Sequence, residues 1–104
     1  MTGTASQVQW AVQIKSRVND EFDRVAKAFD AAAAGQSEEE RADTRAVIAI
    51  LEEKRADVLA NERAGYFIRD WQELDGKVRE TIAGDPRYQT IKTNREIRRR
   101  LTTL

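Results

Sequence analysis

Apolar positions recur at helical spacing almost from the start of this chain. Ala11, Ile14, Val18, Phe22, Val25 and Phe29 follow one another every three or four residues, which places them on one helical face. Thr4 and Gln7 match a capping box, whose hydroxyl and amide satisfy orphan backbone donors at a helix start. The run Ala31-Ala-Ala-Ala34 prolongs helical propensity, and Gly35 supplies a stop. The pattern predicts a first helix over about residues 5–33.

Ser37-Glu-Glu-Glu40 matches a second capping box, with three carboxylates complementing the positive end of the helix dipole. Ala46, Val47, Ile50, Leu51, Val58 and Leu59 then supply a buried stripe, predicting a helix over about 38–60. A later stripe comprises Ala64, Phe67, Trp71, Leu74, Val78 and Ile82. Val47 and Ala64 are about 100° out of phase at 3.6 residues per turn, and Lys54 and Asn61 interrupt any continuous stripe. One helix over 38–83 would also be about 69 Å long, too long for a small domain to pack against. A break is therefore expected near Asn61–Gly65, with Asn61 as N-cap and a third helix over about 62–83. The competing reading is one long helix in a coiled-coil dimer.

Gly84-Asp85-Pro86 marks the next boundary: Gly closes a helix, Asp caps the following one, and Pro fits its first turn. Tyr88, Ile91, Ile97, Leu101 and Leu104 give the last helix, over about 86–102, a thinner apolar face. No strand pattern, linker or repeat interrupts the series. The expected fold is all-α, an antiparallel bundle of three main helices plus a basic C-terminal helix, in one domain of 104 residues.

Charge changes this picture at one end only. Eighteen basic and eighteen acidic residues cancel over the whole chain. Residues 85–104, however, hold six basic against two acidic residues, a net of +4 that the remainder offsets with −4. Arg87, Lys92, Arg95, Arg98, Arg99 and Arg100 are thus candidate phosphate contacts for a nucleic acid. The structural alternative is a solvated or dimer-contacting face, since Lys and Arg also complement a helix C-terminus and cover apolar surface with their stems. That alternative is preferred, because charge runs usually solvate.

Missing residue types exclude much chemistry. Without cysteine or histidine there are no disulfides, thiolate or imidazole metal ligands, Cys nucleophiles or His-dependent triads. No calcium-type Asp/Asn/Gly loop and no Gly-rich phosphate loop occurs. No carboxylate stands alone in an apolar run, the pattern expected of a general acid. The expectation is a non-enzymatic protein with no catalytic residues, no metal and no cofactor. No secretory signal is visible and no segment approaches the ~18 apolar residues of a membrane span, so no membrane partner and a cytoplasmic location are expected.

Two aromatic segments are the distinctive part of the chain. Thr4-x-x-Gln7-Val8-x-Trp10-Ala11-x-x-Ile14-Lys15 resembles the "S-x-K-Q-x-x-W-A-x-x-I-R" opening of small helical proteins of bacterial phages and integrative elements. Ala64-x-Tyr66-Phe67-Ile68-Arg69-Asp70 resembles the "A-x-W-W-I-D-x-R" segment those proteins often carry, with Tyr-Phe in place of Trp-Trp and Arg69-Asp70 in place of Asp-x. The resemblance implies a compact helical domain linked to mobile elements and transfers no biochemical activity. Read from the residues alone, the aromatics are expected to be core, joining the starts of the first and third helices. The functional alternative makes Trp10, Lys15, Tyr66, Arg69, Asp70 and Trp71 a contact surface for a protein partner, possession of which would suit a module that modulates a host factor. A structural homodimer, burying Leu101 and Leu104, is a third reading.

Overall fold

The computed structural model describes residues 1–102 and contains five helices among them: α1 (Ala5–Ala33), α2 (Glu38–Leu59), α3 (Ala64–Asp70), α4 (Lys77–Ala83) and α5 (Pro86–Thr102). The all-α expectation holds. Leu104 lies outside the described residues.

Helix α1 begins on the full capping box: the Gln7 amide N–H donates to Thr4 Oγ1 at 3.2 Å and the Thr4 amide N–H to Gln7 Oε1 at 3.0 Å. Its predicted stripe is the core, with Ala11, Ile14, Val18, Phe22 and Val25 buried and Phe29 half-buried. After the turn at 34–37, α2 runs back along α1, as the approach of Arg55 to Asp23 records. At the second capping box only one arm forms. The Glu40 amide N–H donates to Ser37 Oγ at 3.2 Å, but the Glu40 carboxylate turns to Arg99 at 3.0 Å. Ala46 is exposed, and Thr44 takes the buried position about one turn before Val47.

The third helix differs from expectation. The chain breaks near Asn61–Gly65 as anticipated, yet the helix that follows ends at Asp70 and a second begins only at Lys77. The reason lies at Asp75-Gly76. Gly76 sits at φ +73°, a left-handed conformation that glycine adopts without steric cost and that interrupts a helix. Trp71 stays buried beside Phe22, ring centroids 5.9 Å apart, so the apolar spacing continues across a break that periodicity cannot register. Nor is Asn61 an N-cap. Its Oδ1 accepts from the Arg63 amide at 2.9 Å, an Asx turn. Arg63 occupies the cap position, and the orphan donor at Ala64 reaches the Thr2 carbonyl at 2.9 Å. The Thr2 amide in turn donates to the Glu62 carbonyl, so the segment preceding α1 caps α3.

At the last boundary the sequence pattern is met closely. Asp85 Oδ1 accepts from the Arg87 amide at 2.8 Å, with Pro86 opening α5. Helix α5 lies along α2 and against α4, and keeps its backbone away from α1. It buries no residue completely: Tyr88 and Ile91 are half-buried, while Ile97 and Leu101 face outward. The molecule is elongated, 61 × 23 × 20 Å, with a radius of gyration of 16.7 Å against about 13 Å for a compact domain of this length. The two ends of α1 are therefore separate surfaces, about 40 Å apart.

Candidate interaction site

At the end where α1 begins, Thr2, Gly3, Asn61, Arg63, Gly65, Tyr66 and Arg69 line an open cleft of about 340 Å³. Its geometry follows from the capping just described. The Asx turn at Asn61 presents Arg63, and the Thr2 backbone ties the leading segment to the start of α3. Gly3 takes φ +142°, where an added Cβ would come within 3.0 Å of the Ala64 Cβ. At Gly65 a Cβ would meet nothing within 4 Å, so this stretch of α3 presents bare backbone to the cleft.

Tyr66 is half-buried on this cleft and stands edge-on to Phe67, ring centroids 5.1 Å apart. Phe67 is wholly buried, and the Lys15 ammonium lies 5.7 Å from its ring centroid. That contact uses the cation on an aromatic face and leaves Lys15 half-buried. Arg69 pairs with its neighbour Asp70, Nη2 to Oδ2 at 3.1 Å, which lowers the Asp70 pKa and raises that of Arg69. Among the described residues the Arg63 guanidinium meets no carboxylate, and it joins Arg69 on a cleft whose lining includes no acid.

The two tryptophans separate. Trp71 is 3% exposed and belongs to the core, which removes it from the contact surface. Trp10 is 47% exposed, against the expectation that it packs inward. Its position in α1 is one residue before Ala11 on the buried stripe, so the helix carries it to the edge of that face. The sequence reading missed Arg63, Thr2 and Gly3. The Arg63 signal was the Asn61-x-Arg63 turn, while Thr2 and Gly3 enter through a long-range backbone pairing that local pattern does not report.

The basic helix is arranged differently. Arg87 contacts Asp85 at 3.0 Å and Glu53 at 2.7 Å, and its pKa is raised mainly by Asp85. Arg95 reaches Asp43 at 3.4 Å and the Glu40 carbonyl at 2.8 Å. Arg98 bridges Glu39 and Asp43, and Arg99 meets Glu40. Three of the candidate phosphate contacts, Arg95, Arg98 and Arg99, thus face the acidic first half of α2, and Arg87 is held by Glu53 and Asp85, so four are neutralised within the fold. Lys92 is exposed and forms no ion pair among the described residues, and Arg100 is exposed. The acidic groups are dispersed along these pairings. Among the described residues no group of three or more acidic side chains is placed to hold a metal ion, and no helix is long and apolar enough to cross a membrane.

No family model, curated protein or solved structure matches this chain.

Proposed function

We propose that this protein is a non-enzymatic interaction module that binds another protein through the cleft between the start of α1 and α3, with Tyr66, Arg63 and Arg69 as its anchors. The carrying observation is that cleft: a half-buried tyrosine beside an arginine without an internal carboxylate, on bare helix backbone. Tyr and Arg are, with Trp, the residues most enriched among dominant interface contacts, and a lining without acids that presents the Arg63 guanidinium suits an acidic partner segment. Trp10, half-exposed near the start of α1, is a further aromatic open to a partner at that end of the molecule. The resemblance to mobile-element proteins supports a cytoplasmic role of modulating a host factor.

Binding nucleic acid through α5 is the less supported reading, since Arg87, Arg95, Arg98 and Arg99 are already engaged by carboxylates. Self-association through Ile97 and Leu101 is a further alternative.

The test is capture from lysate of the source organism by the immobilised chain, compared with an Arg63→Glu/Arg69→Glu variant. The expected result is a discrete protein retained by wild type and lost on charge reversal. Capture indifferent to the reversal overturns the reading. So does tight, salt-dependent retention of mixed-sequence DNA in place of a protein.

A further inference from the structure

At the opposite end of the molecule, α1 and α5 flank α2 with their backbones held apart. The gap between them is a cleft of about 250 Å³, lined by Phe29 and Ala32 of α1, Val47 of α2, and Tyr88 and Ile91 of α5. Its polar lining is Gln36, Thr44, Lys92 and Arg95. Thr44 is buried, with Oγ1 2.6 Å from Gln36 Oε1 and 3.1 Å from the Glu40 carbonyl oxygen, and it accepts from Arg95 Nη2 at 3.3 Å. These contacts settle which groups remain for a ligand. Arg95 is consumed by Asp43, Thr44 and the Glu40 carbonyl. With Gln36 Oε1 engaged, its Nε2 is a donor with no protein acceptor among the described residues. Lys92, without an ion pair among the described residues, supplies a second donor and a full positive charge.

A concave, mostly apolar site with a few convergent polar groups is the usual form of a small-molecule site. Here both uncommitted polar groups are donors, and no carboxylate lines the cleft. The complement is an apolar body carrying an anionic acceptor. Size narrows it further. Ligand sites commonly start at about 300 Å³, whereas a cavity of about 150 Å³ already holds benzene. A single fused ring or a branched chain with one carboxylate is the occupant that fits. We propose that the α1–α5 cleft binds a small aromatic or branched-chain carboxylate, its apolar body between Phe29, Val47, Tyr88 and Ile91 and its carboxylate at Lys92 and the Gln36 amide. This site is independent of the protein-binding cleft at the other end of α1.

The experiment titrates the isotopically labelled full chain with 2-naphthoate and, separately, with uncharged 2-naphthylmethanol, following amide and methyl resonances by NMR. Expected are saturable shifts at the Val47 and Ile91 methyls and the Gln36 side-chain amide, with naphthoate binding about fivefold more tightly than the alcohol. Lys92→Gln, an exposed position, abolishes that preference by weakening naphthoate binding to the level of the alcohol. Ala32→Phe, also exposed, fills the cleft and abolishes binding of both while resonances at the far end of α1 stay in place. Unsaturable shifts, shifts centred on Trp10 or on Ile97 and Leu101, equal affinity for the two probes, or a preference that survives Lys92→Gln each overturn the proposal. Binding of a capped Phe-Glu dipeptide at the cleft without binding of naphthoate also overturns it, in favour of a partner's side chain.

Discussion

The Lys54 ammonium lies 2.9 Å from the Asp85 carboxylate and joins the C-terminal third of α2 to the turn between α4 and α5. Asp85 is 5% exposed, and it also caps α5 and holds Arg87, so one side chain sets where the last helix leaves the core. Hydrogen bonding from Arg87, then from Lys54, holds its carboxyl far below the usual carboxylate range.

That depression gives a pH signature. An unfolded Asp titrates near pH 4. A carboxyl whose folded pKa is depressed contributes stability that is fully present above the unfolded value and lost as pH falls through the folded one. Asp85→Asn should therefore lower the urea midpoint by a constant amount above about pH 5. The gap to wild type should narrow only in acid, below about pH 4. A gap that stays constant down to pH 2 would show that Asp85 acts through shape alone.

The two tryptophans should respond oppositely to truncation. Trp71→Ala empties a buried site against Phe22 and should cost about 3–5 kcal/mol. Trp10→Ala should cost about 1 kcal/mol or less, because half of the ring is already solvated. Denaturant melts of both variants check this, and acrylamide should quench the Trp10 emission preferentially. Equal costs would return Trp10 to the core.

Arg55 sits between Asp23 and Glu52 at 3.7 and 3.4 Å, with Nε and Nη2 buried and without hydrogen bonds. Desolvating these groups is poorly offset, whereas both carboxylates remain about half exposed. Arg55→Met should leave stability unchanged or raise it by about 1 kcal/mol. A loss above about 2 kcal/mol in urea titrations would mean that the ion pairs hold α1 to α2.

Helix α5 buries nothing fully and depends on pairs with α2, with Asp43 shared by Arg95 and Arg98. Its amides should exchange with solvent before those of α1 and α2. Asp43→Asn should accelerate that exchange severalfold while α1 is unaffected, a pattern that hydrogen-exchange mass spectrometry reads directly. Uniform exchange across all helices would show that α5 unfolds only with the whole.

Gly65 and Gly76 should separate function from stability. Gly76→Ala forces a side chain into a left-handed conformation and should cost about 1 kcal/mol. Gly65→Ala is helical with open space and should stabilise by up to about 1 kcal/mol. If a partner approaches the α3 backbone here, the same added methyl should weaken capture. Unchanged capture by Gly65→Ala would place the partner elsewhere.

The sequence by itself determined the all-helical class, the first, second and last helices and most of the core. The three- and four-residue spacing along α1, the Thr4–Gln7 box and Gly84-Asp85-Pro86 are local patterns, and local backbone chemistry is what they report. For the same reason, the stripe from Ala64 to Ile82 concealed a break: burial kept its spacing while Gly76 turned the backbone. The destinations of side chains were decided only in three dimensions. Glu39, Glu40 and Asp43 lie more than fifty residues from the arginines they face, so a run that reads as a basic helix becomes a neutralised seam along α2. Likewise, Trp10 and Trp71 look equivalent as aromatics at helical spacing, and only the packing of α3 beside α1 buried one and left the other half in water. The Tyr66 cleft needs Thr2 beside Arg63, a contact across the whole of α1 and α2, which tertiary structure alone brings about.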